Sequence, residues 1–123
     1  MWNRRIEQRI TENVYNGFRF AEGLGLFKDR MRCLPESADG LKTLAQDGLA
    51  WLDPLLEGKT YLCGDRITIG DLVLYCAMDF GAGVGQSVDP ALKNVTALLA
   101  RVGARPSAQA SLHPAAAKIG MKG

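Results

Sequence analysis

The chain has 123 residues, of which 47% are hydrophobic and 23% are charged, and its formal net charge is +2 at pH 7. The length predicts one domain around one core, and the composition excludes disordered, collagenous and disulfide-scaffold proteins. The small basic excess disfavours a nucleic-acid partner, because proteins that bind nucleic acid usually carry a much larger one.

The first predicted helix begins at Trp2. Apolar residues recur every four positions from Trp2 through Ile6, Ile10 and Val14 to Phe18, which is a helical spacing. Helices usually open with a capping Ser, Thr, Asp or Asn, and the apolar pattern here is already running with no cap before it. We therefore interpret the start of the chain as a cut at the beginning of this helix.

The second predicted helix follows Ser37, which can act as its N-cap, and ends at Gly58. Its apolar residues follow an i, i+3, i+4, i+7 series that predicts one core-facing stripe: Leu41, Leu44, Ala45, Gly48, Leu49, Leu52, Leu55 and Leu56. Because Pro54 lies inside this pattern, we expect the helix to kink or restart at Asp53.

A capping box opens the third predicted helix. Thr68 can accept a hydrogen bond from the backbone N–H three residues on, and Asp71 can reach back to the N–H of Thr68. Ile67 can pack on Leu72 as a hydrophobic staple. We assign Asp71 to this structural role and not to catalysis. Residues 69–80 are apolar on nearly every side, which predicts a central helix with neighbours all round.

A fourth helix is predicted to open with Asp89 as its cap and Pro90 at its first position. One more short helical turn is predicted within residues 107–112. The sequence therefore predicts an all-α domain over residues 1–112, followed by a flexible tail at 113–123 that has few apolar anchors.

Three cysteines and one histidine are the candidate soft metal ligands: Cys33, Cys63, Cys76 and His113. Their number and spacing fit no zinc or redox motif, so we expect no metal site and reduced, structural thiols. The sequence has no run of about 18 apolar residues, and its first residues lack the hydrophobic region of a signal peptide. We therefore expect a cytoplasmic protein without a membrane partner.

The order of these helices, together with two short segments, resembles the C-terminal helical domain of cytosolic glutathione transferases of the bacterial type. The segments are Gly-Asp-Arg-Ile-Thr-Ile-Gly-Asp-Leu at 64–72 and Arg-Val-Gly-Ala-Arg-Pro-Ser at 101–107. The family pattern has Ala at the position of Gly70, a difference that weakens the helix slightly and keeps the cap. The resemblance implies an orthogonal bundle of four main helices and a short C-terminal helix.

The resemblance also implies a function. Full-length members add the thiol of glutathione, their co-substrate, to electrophilic small molecules in detoxification, and an N-terminal thioredoxin-like domain holds the glutathione. That domain is absent from this sequence. By resemblance, the chain would supply the wall of the electrophile pocket and part of a homodimer contact. It would hold no catalytic residue, bind no cofactor alone and be inactive in isolation.

Two aromatic residues match family positions that line the electrophile pocket. Tyr15, within Val-Tyr-Asn-Gly-Phe, corresponds to a first-helix residue that faces the thiol and the electrophile, and Phe80 corresponds to a bulky residue that closes the pocket. Plain core packing of Phe80 and an exposed interface role for Tyr15 are the alternatives. The polar side of the first helix near Tyr15 would line the same cleft: Gln8, Thr11, Glu12 and Arg19.

A second function stays open at this point. The chain can also be a stand-alone helical module of the same fold that mediates protein–protein association, as in some translation-factor and synthetase assemblies. The missing thioredoxin-like domain would leave apolar surface bare, and we expect Trp2, Ile6 and Phe80 to lie on that surface and to promote self-association.

Overall fold

The computed structural model describes residues 1–112, which form an all-helical bundle and confirm the predicted fold class. Residues 1–112 contain no strand, only one antiparallel bridge between Tyr61 and Gly64. In this part of the chain, no helix is both long and apolar enough to span a bilayer. The predicted tail at 113–123, which includes His113, lies outside the described residues.

The N-terminal helix, which we define as residues 2–22, contains two π turns. Its segments and the short helix after it are α1 (Trp2–Ile6), a π turn (Glu7–Thr11), α2 (Glu12–Gly17), a second π turn (Phe18–Glu22) and α3 (Leu24–Phe27). The apolar repeat of four residues would drift by about 40° per step on a regular α-helix. A π turn holds more residues per turn and reverses that drift, so Ile6, Ile10 and Val14 all reach 0% exposure. The expectation of one regular α-helix is therefore wrong, because two π turns interrupt it. The expected buried stripe is present at Ile6, Ile10 and Val14.

A 3₁₀ turn (Pro35–Ser37) leads into α4 (Ala38–Leu55). Ser37 occupies the predicted N-cap position, but its side chain does not cap α4, because its hydroxyl donates to the carbonyl of Leu34 at 2.7 Å. The predicted restart at Asp53 is wrong, because α4 continues through Pro54 and ends at Leu55. Pro54 removes only the one hydrogen bond that its own N–H would donate to the carbonyl four residues back, and the helix ends one residue later. The buried face of α4 is formed by Ala38, Ala45, Gly48, Leu49 and Leu52.

The helix α6 (Lys93–Gly103) begins later than predicted, and its cap comes from another helix. Asp89 closes a turn by accepting a hydrogen bond from the N–H of Ala91 at 2.9 Å, so the expectation that it caps this helix is wrong. The N–H of Val95 instead donates to Oδ1 of Asp53 at 2.9 Å. The end of α4 therefore fixes the start of α6, and α7 (Pro106–Ala110) is the predicted short turn.

The helix α5 (Ile69–Gly83) packs against the N-terminal helix and α6. Its end is closed by the N–H of Gln86, which donates to the carbonyl of Gly81 at 2.7 Å after a turn at Gly85 with φ of +82°. The buried Gln86 side chain donates to the carbonyl of Val14 at 3.0 Å and joins the end of α5 to the N-terminal helix. The core between the helices is a continuous cluster: Ile6, Ile10, Val14, Ala45, Leu49, Leu52, Leu56, Leu62, Leu74, Met78, Val95 and Leu98.

Candidate functional site

A groove of about 390 Å³ lies between the N-terminal helix and α5. It is lined by Glu7, Thr11, Glu12, Tyr15, Ile69, Leu72, Val73 and Cys76. One wall carries carboxylates and hydroxyls from the N-terminal helix, and the other carries apolar side chains and a thiol from α5. The structure thus brings three of the predicted site residues, Thr11, Glu12 and Tyr15, to one concave surface.

Tyr15 is held in the groove by an aromatic cluster behind it. Its ring centroid lies 5.4 Å from that of Phe80, and Phe80 meets Phe18 edge-on at 5.1 Å and 89°. Phe18 in turn meets Phe27 edge-on at 6.2 Å. Phe80 therefore supports Tyr15 from behind and is not among the residues that line the groove.

The Tyr15 hydroxyl is a hydrogen-bond donor at neutral pH. Burial is the main cause that raises the pKa of Tyr15, Cys76 and Glu12 raise it further, and the Arg19 guanidinium lowers it. The Arg19 Cζ atom lies 5.9 Å from the Tyr15 ring centroid, and its Nη1 donates to Oδ1 of Asn16 at 3.2 Å. Arg19 is therefore near Tyr15 but outside the groove lining.

Thr11 is the polar residue at the floor of the groove. It is 6% exposed, and its Oγ1 has no hydrogen-bond partner among residues 1–112. It is the last residue of the first π turn. An unpaired buried hydroxyl costs about 1–3 kcal/mol, so a hydrogen-bonding ligand atom would be stabilised there.

The α5 wall of the groove depends on Asp71, which is fully buried in the predicted capping box. Asp71 Oδ2 accepts from the N–H of Thr68 at 2.8 Å, and the Thr68 hydroxyl lies 3.3 Å from it. Asp71 Oδ1 accepts from the N–H of Leu62 at 2.9 Å, a bond that the sequence did not predict. Asp71 therefore fixes both the first turn of α5 and the loop that precedes it.

The face of α5 that borders the groove is apolar and uncovered. Ile69 is 66% exposed, Leu72 is 43% exposed and Cys76 is exposed one turn further on. Leu74 and Ala77, on the opposite side, are fully buried. The prediction that α5 has neighbours all round is therefore wrong, because nothing within residues 1–112 covers this stripe.

The residues expected on the bare surface are placed differently. Ile6 is fully buried, and Trp2 and Phe80 are half-buried. The Trp2 ring is covered by Trp51 at 6.4 Å and by the cations of Arg5 and Lys59 at 5.3 and 5.1 Å. The expectation that Trp2, Ile6 and Phe80 form the bare surface is therefore wrong for Ile6 and only partly met by the other two.

Sequence reasoning missed five groove residues: Glu7 on the N-terminal helix, Val73 on α5, and three further residues of α5, Ile69, Leu72 and Cys76. The i, i+3 and i+7 spacing of the last three marks one stripe of α5, which was available as a signal. Gln8 was expected beside Tyr15, but it lines a second groove of about 340 Å³ between the N-terminal helix and α4. That second groove is lined by Gln8, Arg9, Asn13, Leu44, Asp47 and Gly48.

The family model described as glutathione S-transferase, C-terminal domain, matches residues 35–106, which contain α4, α5 and α6 and exclude Tyr15. No curated protein matches the chain.

Two solved structures share the fold. A glutathione S-transferase domain-containing protein from Marinobacter aquaeolei VT8 is 31% identical with a TM-score of 0.79, and the match covers 88% of this chain and 53% of that protein. Gtt2 from Saccharomyces cerevisiae is 24% identical with a TM-score of 0.81, and the match covers 91% of this chain and 54% of that protein. The chain therefore spans about half the length of each.

Proposed function

We propose, from the premise that this chain belongs to the glutathione S-transferase C-terminal domain family, that it is the electrophile-side domain of an enzyme that conjugates glutathione to electrophilic small molecules. The observation that carries the proposal is the groove in which the Tyr15 hydroxyl faces the bare apolar stripe of α5. A concave, mainly apolar site with a few hydroxyls is suited to a small organic electrophile.

The activation of the thiol belongs, in this proposal, to a thioredoxin-like partner domain. A glutathione thiolate and its two carboxylates need cations or N–H donors, and the groove offers the carboxylates of Glu7 and Glu12 instead. We therefore assign glutathione, as co-substrate, to the partner domain and expect this chain to be inactive alone.

The bare stripe of α5 supports docking of that partner domain. Exposed leucine and isoleucine side chains gain about 1.5–3 kcal/mol each when they are fully buried. Ile69 and Leu72 are together the largest apolar surface at the groove. A domain seated against them would turn the open groove into a cleft between two domains, where binding sites commonly lie.

The second groove supports a homodimer contact. It combines the exposed Leu44 with Arg9 and Asp47, a cation and an anion on neighbouring helices. In a twofold dimer, Arg9 of one copy can meet Asp47 of the other and the reverse, so one patch complements itself. We place the dimeric enzyme in the cytoplasm with a role in detoxification.

A chimera tests the proposal. The thioredoxin-like domain of a characterised bacterial glutathione transferase is fused before Trp2, and conjugation of glutathione to 1-chloro-2,4-dinitrobenzene is followed by absorbance. We expect activity that Leu72→Ser reduces and Leu55→Ser does not, because these leucines are similarly exposed, at 43% and 40%, and only Leu72 lines the groove.

A folded chimera without conjugating activity would contradict the proposal. It would favour the alternative function, a helical module for protein–protein association, because the same bare stripe at Ile69 and Leu72 can dock another protein. Equal losses in Leu72→Ser and Leu55→Ser would show that the groove is not the electrophile site.

A further inference from the structure

We infer that Cys76 is a covalent acceptor for neutral, apolar α,β-unsaturated carbonyl compounds that bind in the groove, so that this domain is alkylated by a class of electrophile that the enzyme conjugates. The inference deepens the proposed function and rests on it for the role of the groove.

Cys76 differs from the other two thiols in its surroundings. All three cysteines are free, and Cys63 and Cys76 are both exposed. Cys63 lies by the capping box, with its Sγ 3.7 Å from the Thr68 hydroxyl, and lines no described groove. Cys76 lines the groove together with Tyr15 and Leu72. A ligand seated in the groove is therefore held beside one thiol of the chain and not beside the others.

Two hydroxyls can bind the carbonyl oxygen of such a ligand. The Thr11 Oγ1 atom is buried and unpartnered within residues 1–112, and Thr11 is one of the residues that line the groove. The Tyr15 hydroxyl lines the same groove and stays protonated at neutral pH. Both groups donate hydrogen bonds that a carbonyl accepts.

The lining also sets the charge of the ligand. Ile69, Leu72 and Val73 form an apolar wall, and Glu7 and Glu12 are the charged residues of the lining. No Lys or Arg is among the lining residues. A carboxylate on the ligand would therefore meet like charges without a cation to pair with, whereas a neutral ring would bury its surface on the apolar wall.

The reaction is a conjugate addition. The Cys76 sulfur bonds to the β-carbon, the carbon–carbon π bond breaks, and its electron pair moves through the α-carbon to the carbonyl oxygen. The hydroxyls of Thr11 and Tyr15 stabilise the negative charge on that oxygen. The thiol proton ends on the α-carbon, so nothing leaves and nothing is oxidised or reduced.

Three thiol reagents test the inference on the isolated chain without glutathione. Iodoacetamide, N-phenylmaleimide and N-(4-carboxyphenyl)maleimide are reacted with the native chain, and the labelling rates of Cys76 and Cys63 are measured by peptide mass spectrometry. We expect the Cys76 to Cys63 rate ratio to be about tenfold higher for N-phenylmaleimide than for iodoacetamide, because the ring docks before reaction. For the carboxylated maleimide, the Cys76 to Cys63 rate ratio should be at least about threefold lower than for N-phenylmaleimide.

Matched variants separate docking from reactivity. Thr11→Val keeps the shape of the side chain and Tyr15→Phe keeps the ring, and each should slow the reaction of Cys76 with N-phenylmaleimide about three- to tenfold while Cys63 is unchanged. In Glu12→Gln, the labelling rates of Cys76 with the two maleimides should differ less than they do in the native chain.

Equal rate ratios for the three reagents would overturn the inference, as would an unchanged Cys76 rate in both Thr11→Val and Tyr15→Phe. The labelling needs neither glutathione nor a second domain. If the labelling preference for Cys76 is absent and the chimera is active, this inference alone is therefore rejected. If the preference is present and the chimera is inactive, the proposed function alone is rejected.

Discussion

Replacement of Asp71 by alanine should destabilise the fold by about 3 kcal/mol. The substitution removes the acceptor of two backbone N–H groups, those of Thr68 and Leu62, at 2.8 and 2.9 Å. A lost N-cap interaction costs about 1 kcal/mol, and a buried donor left without a partner costs about 1–3 kcal/mol. The Leu62 bond therefore raises the expected loss above the 1–2 kcal/mol that the capping box alone predicts.

Urea unfolding followed by far-ultraviolet circular dichroism measures this loss. Asp89→Ala is the matched control, because Asp89 also accepts one backbone N–H at 2.9 Å but is exposed, so water replaces it at a cost below about 1 kcal/mol. Asp71→Asn keeps one acceptor oxygen and should recover about half of the loss. Hydrogen exchange at the Leu62 amide should accelerate in Asp71→Ala. Equal losses of unfolding free energy in the two alanine variants would refute the reasoning, as would an unchanged exchange rate of the Leu62 amide in Asp71→Ala.

Four further outcomes are expected. Gly48→Ala should lower the free energy of unfolding in urea titrations by about 2 kcal/mol or more, because its methyl group would lie 2.5 Å from a carbonyl oxygen of the N-terminal helix. Gly40→Ala is the control: its methyl group would meet open space, and the free energy of unfolding should rise by about 0.5–1 kcal/mol. Similar values for the two variants would contradict the close packing at Gly48. The pKa of Tyr15 in the folded state is raised above 10.0, so its contribution to the free energy of unfolding is complete below pH 10 and is lost as the pH rises through the folded-state pKa. Tyr15→Phe should remove this alkaline loss of stability, and a variant that loses stability in parallel with the native chain would exclude the effect. Light scattering at millimolar protein should show self-association that Leu72→Ser weakens and Leu55→Ser does not, and a mass of 13.3 kDa for the unmodified chain would oppose this. Calorimetry of the isolated chain should detect no micromolar binding of glutathione, and a saturable micromolar isotherm would count against the assignment of glutathione to a partner domain.

The features that the sequence predicted correctly are local ones. The start of α5 followed from Thr68 and Asp71, which are three residues apart and interact within one turn. The start of α4 after Ser37 and the short α7 followed from equally local signals. The capping box closes within four residues, so the sequence pattern alone contains both of its partners.

The start of α6 could not be predicted in the same way. Its N3 donor, the N–H of Val95, is bonded by Asp53, which lies 42 residues earlier at the end of α4. Asp89 and Pro90 form a good local signal for a helix start, and this tertiary bond overrides it. The two π turns likewise depend on packing, because they keep the N-terminal stripe in register with the core.

The exposed stripe of α5 has a different origin. An apolar pattern on all sides of a helix states that the side chains avoid water, and it does not state which molecule covers them. Within residues 1–112, neighbours cover Leu74 and Ala77 and leave Ile69 and Leu72 bare. The apolar pattern therefore predicts burial of the whole helix, whereas residues 1–112 bury only one side of it.

The capping box also determines the geometry of the groove. Ile69 and Leu72 occupy the first and fourth positions of α5, so both lie within one turn of Asp71, which is at the third position. By accepting the N–H groups of Thr68 and Leu62, Asp71 fixes the residue at which the helix begins and hence the rotation of both side chains about its axis. The buried carboxylate of Asp71 thus sets the direction in which the apolar wall faces Tyr15 across the groove.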